Sequence, residues 1–163
     1  MASARPIRVG LISDTHGLLR PEAANFLRGA DLILHAGDVC ERRVLDELAS
    51  IAPTTAVRGN NDRGPWADAL AEEELVQVGG ALICVVHDLA TLSIDPGAAG
   101  VRVVVHGHSH SPLVEERGGV LFVNPGSAGP RRFKLPISVG ELMIDGSETS
   151  ARIRRVDAVE SRG

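Results

Sequence analysis

Asp14, His16, Asp38, Asn60, His87, His108 and His110 carry side chains that can donate to a metal ion, and they fall in five short polar segments. The segments are Asp14-Thr15-His16-Gly17, Gly37-Asp38, Gly59-Asn60-Asn61-Asp62, His87-Asp88 and Gly107-His108-Ser109-His110. Two carboxylates, an amide oxygen and four imidazoles, with no thiolate, suit borderline or hard divalent ions such as Mn, Fe, Co or Zn. Seven donors are too many for one tetrahedral ion. They suit two ions sharing a carboxylate, roughly 3.5–4 Å apart, the arrangement that clamps a phosphate ester and its attacking hydroxide.

These segments need elements that bring them together. Short apolar runs at 7–13, 31–35 and 54–57 read as strands, separated by helical patterns at 21–28 and 39–50. Pro21 suits a first helical turn, and Val44, Leu45 and Leu48 form an apolar face opposite Glu41, Arg42 and Glu47. The β-α-β-α-β order predicts parallel pairing. Residues 67–74 form a polar, Glu-rich stretch, and 75–78 with 81–86 read as a hairpin across Gly79-Gly80. Further strands are expected at 101–105, 113–116, 120–123, 137–144 and 151–156, with turns at Gly118-Gly119 and Asp145-Gly146. Each candidate segment follows such a strand. In parallel α/β sheets the carboxyl ends of strands share an edge where ligand sites form. The expectation is one α/β domain over residues 1–163, with its core at about 7–156.

Taken singly, each motif has a structural explanation. Asp14 could cap a helix starting near Leu18, and Asp38 one starting at Val39. His108 and His110 could be an exposed turn. Coincidence at five strand ends is a poor explanation for all of them together. Other residues read as structural throughout. His35 and His106 lie within or beside strands and are expected as near-core histidines. Asp62 is expected to accept loop hydrogen bonds, and Arg58, Arg131 and Arg132 to form a solvated basic surface, with Arg131 and Asn61 as candidate substrate contacts.

Composition sets the class. Apolar residues make up 44% and aromatics 2%, so the core must be built from Val, Leu, Ile and Ala. A formal net charge of −4 and the scarcity of aromatics weigh against a nucleic-acid platform. Cys84 lies in an apolar run and reads as a small buried hydrophobe rather than a disulfide partner of Cys40. No segment has the length to cross a bilayer, and residues 1–6 lead into no secretory h-region, because Asp14 interrupts the apolar stretch. A reducing cytoplasmic setting is expected. Trp66 and Phe133, if exposed, are candidate anchors of a homo-oligomer.

The motif set Asp-x-His, Gly-Asp, Gly-Asn-x-Asp, a lone His and Gly-His-Ser-His, in this order, resembles that of calcineurin-like metallophosphoesterases. Asn124-Pro125-Gly126-Ser127 resembles a loop of the small single-domain YfcE-like branch. The resemblance covers about residues 7–127. It implies a four-layer α/β/β/α sandwich of two mixed sheets. It also implies two divalent ions, Mn foremost, with Fe, Zn, Ni, Co or Mg as alternatives. On that basis Asp14, His16 and His110 would hold one ion, Asn60, His87 and His108 the other, and Asp38 would bridge them. A bridging hydroxide would attack a small phosphate ester in line while the ions and Asn60 neutralise developing charge.

Two positions depart from the family pattern. Many members place a His where this chain has Asn61, and an amide has no proton to donate at a useful pKa. Phosphodiesters with acidic alcohols are therefore expected ahead of alkyl monoesters. Asp88 stands where many members have Gly; it would orient His87 or cap the next segment. The family's relatives include Vps29, a retromer subunit that uses this fold for protein contacts with a degraded metal site, so a non-catalytic scaffold is the competing reading. All seven ligands are present here, which favours the enzyme.

Overall fold

The computed structural model describes residues 5–132 and 134–157. The apolar runs become β1 (Ile7–Ile12), β2 (Leu32–His35) and β3 (Thr54–Ala56), joined by α1 (Pro21–Leu27) and α2 (Arg42–Ala49). β1 pairs in parallel with β2, and β2 with β3, as alternating strand and helix require. α3 (Pro65–Asp68) leads to β4 (Glu73–Val78), which turns at Gly79-Gly80 into β5 (Ala81–Val86). After a 3₁₀ turn at Leu89–Thr91 come β6 (Val101–Val105), β7 (Leu113–Arg117), β8 (Val120–Asn124), β9 (Ser138–Asp145) and β10 (Glu148–Arg155).

The strands form two mixed five-stranded sheets, β10-β9-β1-β2-β3 and β4-β5-β6-β8-β7. In the second sheet β5, β6 and β8 are parallel, and β4 and β7 close the edges antiparallel. Side-chain alternation along the strands sorts the apolar residues into separate layers. Val9, Leu11, Leu34, Ile83, Val85, Val103, Val105 and Val123 fill the space between the sheets. Ile12, Ile33 and Val139 face outward against Leu27, Val44 and Leu48 of the helices. The outer face of the second sheet is covered by Leu89, Leu92 and Ile94, so the fourth layer of the α/β/β/α sandwich is a 3₁₀ turn and loop rather than long helices.

Three local details differ from the sequence pattern. The helix expected from 39 begins at Arg42, because Asp38 and Cys40 both take left-handed backbone conformations that no helix accommodates. β4 starts at Glu73, inside the stretch read as merely polar. Trp66 is half-buried against the α1–α2 layer rather than a free anchor, and Phe133 lies outside the described residues. Cys40 and Cys84 are both free thiols, with Cys84 fully buried. Among the described residues no helix is long and apolar enough to cross a membrane.

Candidate metal centre

The ends of β1, β2, β3, β5 and β6 deliver the seven candidate residues to one edge of the sandwich. Hydrogen bonds between the loops hold them there. Asp14 N donates to Gly37 O at 3.0 Å, His16 N to Asp38 O at 3.0 Å and Gly107 N to His87 O at 3.0 Å. Two glycines permit the approach: a Cβ on Gly107 would overlap Ser13 Oγ, and one on Gly59 would overlap the Asp38 backbone and carboxylate. Among the described residues, the non-glycine residues with positive φ are Asp14, His16, Asp38, Cys40, His108 and His110. Five of these belong to the candidate set. Such backbone costs about 1–3 kcal/mol per residue and persists only where the surroundings impose it.

The donors converge. His110 Nε2 stands 3.4 Å from Asp14 Oδ1, and His16 Nε2 lies 3.9 Å from the same oxygen. Asp38 Oδ2 is 3.6 Å from His16 Nε2 and 3.5 Å from His87 Nε2, so it faces both halves of the site. His87 Nε2 also sits 3.0 Å from Asn60 Oδ1. Asp14, His16 and His110 form one compact donor group; Asp14, Asp38 and His87 form another. Neighbouring ligands around ions bound at about 2.0–2.2 Å stand at similar separations.

The electrostatics call for a cation. Asp14 Oδ1 and His16 Nε2 are buried without a hydrogen-bond partner, a costly state for polar atoms. Asp14 Oδ2, by contrast, accepts from Ser13 Oγ at 2.6 Å and His108 N at 3.1 Å. His87 Nδ1 donates to Ala36 O at 2.8 Å, which leaves Nε2 as a lone pair facing carboxylate and amide oxygens. A proton or a metal ion resolves that repulsion, and the partners of His87 push its pKa up: burial works against this, but Asp38 and Asp14 prevail. Burial also opposes ionisation of Asp14 and Asp38. The nearby imidazoles of His110 and His87, with hydrogen bonds from Ser13 to Asp14 and from Asn61 to Asp38, outweigh it and hold both carboxyls below the ordinary range. The residues present fit divalent ions.

The remaining candidates divide. His108 lies beside His87, ring centroids 5.1 Å apart, but is open to solvent, its side chain 47% exposed. Asn61 grips Asp38 twice, N to Oδ1 and Nδ2 to Oδ2, each at 2.9 Å. Arg131 pairs with Asp157 and donates to Leu135 O, so its guanidinium is engaged away from these donors. Asp88 Oδ1 caps the 3₁₀ turn at Ala90 N, 3.0 Å, while Oδ2 stands 3.8 Å from His108 Nε2. It therefore meets His108 and not His87. Asp62 accepts from the amides of Asp38, Cys40 and Gly59 at 3.0, 2.7 and 2.8 Å, which ties two ligand loops together. Sequence reasoning missed the contact of Cys40 Sγ with His16 Nδ1 at 3.5 Å. The sole hint was its position two residues after Asp38. Arg58, expected as part of a solvated basic surface, lines a cavity with Asn60 and His87.

Fold and site together define a two-sheet α/β protein with a candidate metal-ligating centre at its parallel strand ends. Residues 7–147 match the calcineurin-like phosphoesterase superfamily domain, and the chain belongs to that superfamily. It is 34% identical over 165 residues to a probable metallophosphoesterase of Methanothermobacter thermautotrophicus, covering 92% of this chain and 93% of the relative. It is 27% identical to the phosphodiesterase YfcE of Escherichia coli, over 82% of this chain and 85% of that protein. The crystal structure of Vps29 from Entamoeba histolytica complexed with Zn²⁺ superposes with a TM-score of 0.76 at 25% identity, covering 94% of this chain and 95% of that one.

Proposed function

We propose that this protein is a dinuclear-metal-dependent phosphodiesterase acting on a small phosphate ester. The observation that carries the reading is Asp14 Oδ1, a buried and unpartnered carboxylate oxygen at the meeting point of His16, His87 and His110. Asp14, His16 and His110 would hold one ion, Asn60, His87 and His108 the other, with Asp38 between them. Mn is the first choice for this oxygen- and imidazole-rich set. When bound, two such ions supply Lewis acidity at the phosphoryl group and a water of lowered pKa for in-line attack. The chain's own residues then fix the outcome. Asn61 is committed to Asp38 and donates no proton to a leaving alcohol. Alcohols that leave unaided, such as aryl alcohols, are the better substrates, and the phosphodiesterase named among the relatives supports the diester. Free Cys40 and Cys84 accord with a reducing cytoplasmic setting.

The test is hydrolysis of bis(p-nitrophenyl) phosphate by chelator-treated protein before and after Mn is added back. Activity should vanish and return. Activity indifferent to chelation, or kept by an Asp38→Ala, His108→Ala double variant, would sink the reading. Fewer than one bound ion per chain after Mn loading would favour a protein-binding scaffold instead.

A further inference from the structure

A cavity of about 140 Å³ adjoins the candidate centre, walled by Arg58, Asn60, Glu72, His87, Asp88 and Thr91. Two of these walls, Asn60 and His87, belong to the donor set, so a phosphoryl group held there has this cavity as its neighbouring space. The Arg58 guanidinium is fixed by Glu72, Nη2 to Oε2 at 2.8 Å, and lies 3.5 Å from Asp68. Its charge is thereby neutralised. Asp88 gives one oxygen to Ala90 N and leaves the other toward His108. Thr91 Oγ1 donates to Asp88 O at 2.8 Å, and so remains an acceptor for a ligand.

We propose, building on the phosphodiesterase reading, that this cavity is the subsite for one ester arm of the substrate. It takes a short aliphatic arm ending in a hydroxyl or ammonium donor, and not a nucleoside. Size supports this, because a space of about 140 Å³ is filled by a roughly benzene-sized group, whereas a nucleoside would project through its open side into solvent. Chemistry agrees. The walls offer carboxylates and a hydroxyl as acceptors. Base recognition relies on aromatic stacking worth about 1–3 kcal/mol per base, and the cavity offers no Phe, Tyr or Trp ring among the described residues, its one imidazole being His87 of the donor set.

The experiment uses p-nitrophenyl phosphodiesters that share one leaving group and differ in the other arm: glyceryl, aminoethyl and thymidine-5′. With Mn-loaded protein, the glyceryl or aminoethyl ester should exceed the thymidine ester in kcat/KM by about tenfold or more. Ligand-observed NMR should rank glycerol phosphate or ethanolamine phosphate above thymidine 5′-phosphate as binders. Thr91→Trp, which fills the cavity, should erase the preference. Asp88→Asn keeps an acceptor for Ala90 N and should weaken the aminoethyl ester more than the glyceryl one if the arm ends in ammonium. Equal or better turnover or binding of the thymidine compounds overturns the proposal, as does a preference unmoved by both variants. If no ester, bis(p-nitrophenyl) phosphate included, is cleaved in a metal-dependent way, the phosphodiesterase reading itself fails and takes the subsite with it.

Discussion

The backbone amide of Gly37 donates to Nδ1 of His35 at 3.1 Å, which fixes that nitrogen as an acceptor. The proton of the ring therefore sits on Nε2, 3.0 Å from Thr15 Oγ1. Thr15 in turn donates to Val39 O at 3.3 Å. A histidine outside the donor set thus holds the β1 and β2 loops, which carry Asp14, His16 and Asp38, in one arrangement.

That arrangement has a pH signature. Burial pushes the His35 pKa from 6.5 down to about 4. The unfolded chain binds this proton first as pH falls, so stability declines from pH about 6.5 to about 4, by up to about 3 kcal/mol. Below that window the lowered carboxyls of Asp14 and Asp38 add their own loss as they protonate. Urea unfolding of metal-free protein between pH 7 and 4.5 measures the slope. His106, which burial also lowers from 6.5 to about 4, contributes over the same window, so His35→Gln should reduce the slope by about half, and an unchanged slope would show that the His35 imidazole is not a source of it.

Asn61 acts on Asp38 rather than on a leaving group. Asn61→Ala removes the side-chain bond to Asp38 Oδ2 and keeps the backbone bond to Oδ1. Loss of a hydrogen bond that orients a ligand costs about 10–100-fold in metal affinity. Titration calorimetry with Mn should show at least the lower figure, with far-UV circular dichroism unchanged.

Remote from the centre, the Glu141 carboxylate is buried between Arg8 at 2.6 Å and Arg152 at 2.8 Å. Arg8 also donates to Phe26 O and Arg28 O at the end of α1, so the pair joins a strand to a helix. Removing the carboxylate takes the ion pair from Arg8, while Arg152 stays in solvent. Glu141→Ala should lower unfolding stability by about 1–2 kcal/mol in denaturant titration, while metal affinity stays within twofold.

Metal binding should itself stabilise the fold. At a hundredfold excess over Kd an ion adds about 2.7 kcal/mol. The melting temperature should rise with Mn and fall back with chelator. Asp14→Ala should abolish the response, and a persisting shift would place the ions elsewhere.

Much of this was legible in the sequence because strand and site share a grammar: an apolar run, then a polar residue where the run ends. Ile7–Ile12 followed by Asp14, and Val101–Val105 followed by His108, read that way without coordinates. Local backbone was harder. Nothing in Asp38-Val39-Cys40 announces left-handed conformations, and so the helix was expected three residues too early. Long-range partners were harder still. Asp62 was foreseen as a loop acceptor, but its reach to Asp38 and Cys40 depends on how two loops meet. The cavity wall draws Glu72 and Thr91 from segments that show no pattern in common.

The positive-φ residues give a last prediction. His108 is the most exposed of them, so replacing it loses least packing. His108→Gly should raise the stability of the metal-free protein by about 1 kcal/mol while weakening Mn binding. A loss of stability would mean that the imidazole packs better than its backbone strains.

The same strain sets a direction for descent. Five of the candidate ligand positions pull against the fold that carries them, so exchange for glycine relieves them whenever selection for chemistry lapses. A lineage kept only for its shape should shed these residues early and gain robustness as it does so. Breeding this chain for heat resistance alone should erase the centre before it touches the sandwich.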